Sequence, residues 1–187
     1  LPSLECGIYF IMISKDDKFS KSEDNLPAIH AFQVSSLSFV TTKENNDFVV
    51  YVLDRDSGKP IKDVMILGAS KVSTYLADLV IENKNTVSVI EKDEERALEV
   101  SEKFNGLLTV VNGDGMNQDV LNEHGISKVD AFVALTGKDE VNVLSSLFAK
   151  SKSDGKIITK INKEELLSVS ENLGLGSIVS PKKIIAD

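Results

Sequence analysis

The chain has 187 residues and carries 29 acidic against 21 basic side chains, a formal net charge of −8. That balance speaks against a nucleic-acid binder, because a phosphate backbone is met by clustered Lys and Arg. An apolar content of 42% excludes a disordered chain, and no apolar run approaches the ~20 residues needed to cross a bilayer.

The chain begins at Leu1 and shows no signal-peptide pattern, so it is expected to be a piece of a longer polypeptide. Up to about Lys59 the pattern is irregular. Ile8 to Ile13 predicts a strand, Lys15-Asp16-Asp17-Lys18 a polar turn, and Leu37 to Thr41 a second strand. Lys43 to Leu53 predicts a short helix, with Thr42 as its N-cap and Phe48, Val49 and Val50 near its buried face. Asp56-Ser57-Gly58-Lys59-Pro60 marks a turn or linker.

From Ile61 onward short apolar runs alternate with amphipathic segments. Strands are predicted at Val64 to Leu67, Val87 to Ile90, Leu107 to Val111, Ala131 to Leu135, Lys156 to Ile161 and Ile178-Val179. Helices are predicted between them. Val72 to Glu82 carries a stripe of Val72, Leu76, Leu79 and Val80. Asp93 to Phe104 has Asp93 as N-cap and Ala97, Leu98, Val100 and Phe104 turned inward. Asn117 to His124 can end at Gly125, Asp139 to Lys150 follows, and Lys163 to Leu173 closes at Gly174. Apolar strands without alternation, separated by helices, predict an α/β fold. Its core is a doubly wound parallel sheet of the Rossmann-like type, with a small α+β segment at the N-terminus.

In such a sheet ligands bind beyond the carboxyl ends of the strands. After the first of these strands comes Gly68-Ala69-Ser70-Lys71-Val72-Ser73. A phosphate turn of the G-x-G-x-x-G type would have Gly at 68, 70 and 73, and only Gly68 is present. The loop reads either as a phosphate turn, with the Ser70 hydroxyl and the helix N-terminus as anion donors, or as an ordinary strand-to-helix turn. Glu91 stands 23 residues beyond Gly68, near the offset of an acid that receives ribose hydroxyls. A carboxylate there favours NAD or an adenine nucleotide over NADP, and Lys92 beside it weakens that preference. The other reading is a solvated charge at a helix start. Gly113-Asp114-Gly115 suits a turn near an adenine or a plain Gly-rich turn. Thr136-Gly137-Lys138-Asp139 suits a phosphate or nicotinamide, with Asp139 equally an N-cap, and Lys160 is a phosphate partner or a solvated lysine.

Catalytic patterns are missing from the sequence. His30 and His124 lie on different elements, and neither C-x-x-C nor H-E-x-x-H spacing occurs. Tyr9, Tyr51 and Tyr75 lack a Lys four residues on, and there is no G-x-S-x-G elbow. The single cysteine, Cys6, permits no internal disulfide and fits a reducing compartment. No enzyme is therefore expected. An NAD-dependent oxidoreductase would need an acid/base near the nicotinamide. A methyltransferase would need a richer first glycine loop and an antiparallel last strand.

Several blocks together carry a resemblance: Lys59 to Gly68, Val89-Ile90-Glu91-Lys92-Asp93, Asn112-Gly113-Asp114-Gly115, Asp130 to Glu140, and Val179-Ser180-Pro181. Over residues 59–187 the chain resembles the TrkA-type regulator of potassium conductance (RCK) N-subdomain. Residues 1–58 resemble the tail of the RCK C-subdomain, as in the middle of a two-repeat subunit, and Pro181 to Asp187 resembles the start of its crossover helix. The resemblance implies a cytoplasmic regulatory subunit of a potassium uptake system, peripheral to the inner face of the membrane. It would pair as a homo-oligomer with a membrane-embedded Trk or Ktr-type K⁺ transporter and have no direct lipid contact. It implies NAD(H), or ATP or ADP, as ligand. Gly68, Ser70, Lys71 and Val72 would then contact phosphates. Glu91, with Lys92 beside it, would hold the ribose, Asp114 the adenine side and Thr136 the far phosphate or nicotinamide end. Lys160 stands where the family often has Arg. Ser70, Ser73 and Lys160 depart from the family pattern, which leaves a nucleotide-free scaffold repeat as the alternative.

Overall fold

The computed structural model describes residues 7–16, 19, 28–34, 37–44, 47–55, 58–175 and 177–180. Cys6, the second half of the turn expected at 15–18, and the crossover-helix start expected at 181–187 lie outside them.

The N-terminal part holds two antiparallel hairpins. β1 (Gly7–Ile13) pairs with β2 (Ala28–Val34), Gly7 opposite Val34. β3 (Leu37–Glu44) pairs with β4 (Asp47–Asp54), Leu37 opposite Asp54. Of the helix expected over residues 43–53, residues 43–44 end β3 and 47–53 belong to β4, and Thr42 sits within β3 and caps no helix. Phe48-Val49-Val50-Tyr51-Val52 explains the difference: β-branched and aromatic residues lose χ1 freedom in a helix and pack well on a pleated surface.

Residues 61–180 form the layer that positions the cleft. Strands β5 (Asp63–Leu67), β6 (Thr86–Glu91), β7 (Thr109–Asn112), β8 (Ala131–Ala134), β9 (Lys156–Lys160) and β10 (Ser177–Val179) make one sheet in the order β10-β9-β8-β5-β6-β7. Every pairing in it is parallel. The helices are α1 (Lys71–Glu82), α2 (Glu94–Phe104), α3 (Gln118–Glu123), α4 (Asp139–Lys152) and α5 (Glu164–Asn172), with a 3₁₀ turn at Ile126–Lys128. The expected doubly wound α/β sheet is present, and its strand order reverses direction between β5 and β8.

Alternate residues of β5 to β9 feed two separate cores. Val64 and Ile66 join Val87, Val89, Ala77, Val100 and Phe104, under α1 and α2. Met65 and Leu67 join Ile90, Phe132, Val143, Ala149 and Leu167, on the α4 and α5 side. With both faces covered, the strands need no polar alternation.

The helix faces depart from expectation in detail. On α1 the sheet is met by Ser73 and Ala77, both fully buried, with Leu76 and Val80 beside them. Val72 and Leu79 of the expected stripe are exposed, as is Tyr75. Close approach of a helix to its parallel strands favours small side chains, which turns the larger ones outward. Leu98 of α2 is likewise exposed, whereas Ala97, Val100 and Phe104 are buried and Asp93 caps the helix by accepting from the Arg96 amide.

Candidate functional site

The carboxyl ends of β5, β6 and β8 surround a cleft of about 320 Å³ at the switch point. Gly68 opens it. Its φ of +96° suits glycine, and a Cβ there would lie 3.0 Å from the Thr136 Cα and 3.1 Å from the Thr136 nitrogen. The turns after β5 and β8 thus pack backbone to backbone. A Cβ on Gly115 would overlap the Leu67 side chain, so the second glycine of Gly113-Asp114-Gly115 is fixed by packing beneath the cleft.

The two serines at the remaining glycine positions act on each other. The Ser70 Oγ caps α1 by accepting from the Ser73 amide at 3.2 Å, and it lies 2.8 Å from the Ser73 Oγ. A fully buried hydroxyl at 73 is therefore satisfied by the side chain at 70. Within the first turn of α1, the amides of Lys71 and Val72 precede any intrahelical acceptor, so the helix N-terminus keeps its partial positive charge toward the switch point.

Glu91, at the end of β6, holds the phosphate-type turn in place. Its Oε2 accepts from the Ala69 amide at 2.6 Å and its Oε1 from the Asp93 amide at 2.9 Å. Asn112 fixes the strand end behind it, donating from Nδ2 to the carbonyls of Glu91 and Lys92. Lys92 reaches Asp114 across the exits of β6 and β7 at 2.7 Å. The Lys92 ammonium bonded to it, together with the Met116 amide, holds the Asp114 carboxyl below its ordinary range. On the far side, Thr136 donates from both its amide (2.9 Å) and its hydroxyl (2.6 Å) to Asn142 Oδ1.

Of the residues singled out in the sequence, Gly68, Ser70, Glu91, Lys92, Asp114 and Thr136 line this one cleft. Lys71 and Val72 sit in the first turn of α1 and Lys160 at the end of β9, and none of these three is among its lining residues. Asp139 is the first residue of α4, not its N-cap. It is buried and receives the amides of Asn162 and Lys163 ahead of α5. Arg96 and Lys138 also line the cleft; Lys138 belongs to the Thr136-Gly137-Lys138-Asp139 turn singled out in the sequence, whereas Arg96 is not among the expected site residues. Arg96 follows the Asp93 cap by three residues, a spacing that puts it at the mouth; a count of basic residues near each strand end would find both. Lys92, Arg96 and Lys138 outnumber Glu91 and Asp114 there, a local excess of positive charge on a chain of net charge −8. Among the described residues no cluster of His, Cys, Asp and Glu is arranged to hold a metal ion.

The arrangement offers a glycine turn, a helix N-terminus, cations and a carboxylate at one switch point, which suits a ligand with phosphates at one place and hydroxyls at another. Comparison with known proteins agrees with the fold. The family description "TrkA-N domain" matches residues 64–181. A Trk system potassium uptake protein trkA homolog 1 of Methanosarcina mazei is 35% identical over 121 residues, covering 64% of this chain and 30% of that protein. The TrkA-N domain of the Escherichia coli inner membrane protein ybaL superimposes with a TM-score of 0.61 at 16% identity, over 67% of this chain and 92% of that one. The GsuK channel bound to NAD does so with a TM-score of 0.56 at 18% identity, over 64% of this chain and 21% of that one. The chain spans only 27–30% of the length of the curated relatives it matches first.

Proposed function

The chain belongs to the TrkA-N domain family, and from that premise we propose that it is a non-catalytic, nucleotide-responsive part of a potassium uptake regulator. The cleft takes NAD(H), or ATP or ADP. Gly68, Ser70 and the first turn of α1 with Lys71 and Val72 receive phosphates. Glu91 and Lys92 flank the ribose, Asp114 the adenine side, and Thr136 the distal phosphate or nicotinamide end. Lys160 contributes from the edge of the β9 exit. The observation that carries this reading is the convergence of Gly68, the α1 N-terminus, Glu91 and three cations on one switch point. The potassium uptake role is drawn from the names of its relatives.

Residues 1–58 are read as the tail of an RCK C-subdomain and 59–187 as the following N-subdomain. In that arrangement the protein acts as a homo-oligomer on the cytoplasmic side, peripheral to a membrane-embedded Trk or Ktr-type K⁺ transporter, and meets the membrane through that partner. No described helix is long and apolar enough to cross a membrane.

A second reading has support of its own. Ser70 is engaged by Ser73, and both Glu91 oxygens already accept backbone amides, which fits a nucleotide-free scaffold repeat. Isothermal titration of the full-length protein with NADH, NAD, ATP and ADP decides between them. Saturable binding that Glu91→Ala or Asp114→Ala removes is the expected result. Silence to all four ligands would leave the scaffold.

A further inference from the structure

We propose that Asn142 is a positioning residue: it holds the Thr136 turn at the cleft and locks that turn to the exit of β9, so the two move as one unit. The inference rests on the reading of the cleft as a nucleotide site and adds to it a residue outside the cleft lining.

Asn142 lies in the first turns of α4 and is fully buried. Its Oδ1 receives the Thr136 amide at 2.9 Å and the Thr136 hydroxyl at 2.6 Å. Its Nδ2 donates to the Thr136 carbonyl at 3.2 Å and to the Lys160 carbonyl at 3.0 Å. An amide side chain offers two donors and two acceptor lone pairs, and here all four are used. Reversing the amide would set its NH₂ against the Thr136 amide and its oxygen against two carbonyls, so one orientation is fixed. One buried side chain therefore grips Thr136 by its amide, carbonyl and hydroxyl, and the same side chain grips the end of the next strand.

Asn142 is the centre of a polar stripe on α4. Three residues earlier, buried Asp139 accepts from the amides of Asn162 and Lys163, each at 2.8 Å, and from the Asn162 Nδ2 at 3.0 Å. Four residues later, the Ser146 hydroxyl receives the Thr159 hydroxyl at 2.8 Å. Spacings of three and four put these side chains on one helix face, and that face is bonded to β9 and its exit. Buried and satisfied networks of this kind have few alternative arrangements, because any displaced member leaves an unpaired group without water. Thr136 in turn packs on Gly68. A ligand that shifts the Thr136 turn therefore acts on residues 160–163 and the start of α5.

The test uses the full chain with Asn142→Asp, which keeps the shape and both acceptors but sets a carboxylate oxygen against the Thr136 and Lys160 carbonyls. Affinities for NADH and for AMP are measured by calorimetry, and amide hydrogen exchange is followed without ligand. In the proposed placement NADH extends to the Thr136 end, whereas AMP, which lacks the distal half, stops short of it. The expected result is a loss of about tenfold for NADH with AMP changed less than about twofold. In the ligand-free variant, amides 136–138 and 161–163 should exchange about tenfold faster while those of β5 and β6 keep their rates. Equal loss for both ligands, or unchanged exchange at either turn, overturns the proposal. Wild-type protein that binds neither ligand defeats the nucleotide reading, and the exchange data then decide the role of Asn142 alone. Should Asn142→Asp fail to fold, Asn142→Ser is measured in its place against the same criteria.

Discussion

At Gly68 two constraints coincide, a positive φ and a neighbouring backbone only 3.0 Å from where a Cβ would be. Either alone is tolerable. Together they predict that Gly68→Ala costs about 1–3 kcal/mol of stability, read as a fall in the urea midpoint, and displaces the Thr136 turn. Asp114 offers a pH readout. Its carboxyl is lowered on folding by Lys92 and the Met116 amide, so the contribution is present at neutral pH and disappears below about pH 4, as the pH falls through the folded value. NMR titration should find its midpoint below the ordinary aspartate range, and Lys92→Met should move that midpoint upward. A midpoint indifferent to Lys92 would mean that the ion pair is not what lowers it. Gly68, Glu91 and Asp114 are visible in the sequence because a turn glycine and acids at strand exits have a fixed offset. Asn112 and Asn142 are not. Their work is done by bonds to backbone atoms 21 and 18 residues away, and no periodicity marks an asparagine for that.

Helix α1 shows what apolar periodicity can and cannot say. It reveals the helix and nearly its ends, but it points to the larger apolar residues as the buried stripe, whereas Ser73 and Ala77 occupy that place. The sheet selects by size as well as by polarity. Leu79→Lys should therefore change stability by less than about 0.5 kcal/mol, whereas Ala77→Leu should cost about 1–3 kcal/mol through overpacking, both measured by thermal unfolding. The Ser70 and Ser73 pair belongs to the same helix end. Ser70→Ala removes the cap and strands a buried hydroxyl, for a loss of about 1 kcal/mol, and a smaller loss in the Ser73→Gly background would show the coupling. β4 passes for a helix in sequence because its apolar run is short enough for either pattern, whereas β3 reads as the strand it is. β2 is hidden there because His30 and Gln33 interrupt its apolar residues. The parallel strands are legible for the opposite reason. An uninterrupted apolar run between two helices must be covered on both faces, and a parallel sheet between helix layers provides that cover.

Among the residues whose burial is described, both cores draw on residues from Ile61 onward. Among the described contacts, the end of β4 meets this layer at Leu53 opposite Pro60 and through Lys156 and Asp54, 3.6 Å apart. A fragment of residues 59–187 should therefore keep the sheet and the cleft, with the circular dichroism of a parallel α/β layer and ligand affinity close to that of the full chain. A molten fragment would show that the first 58 residues complete the core. The acidic balance of the chain also takes on a local shape, since the mouth of the cleft runs against it with Lys92, Arg96 and Lys138.

The packing of Thr136 on Gly68 has a further consequence, in time. These residues are 68 positions apart, and Asn142 and Lys160 must follow before the turn is held. Contacts of such separation form late, after the chain has met the entropy of closing a long loop. During synthesis the first βα unit emerges with its glycine turn ready but with no opposing wall. The cleft comes into being only when the second half of the sheet docks. A ligand that fits it cannot guide the early steps of folding. It selects the finished domain, and it adds to the lifetime of that state in proportion to its concentration.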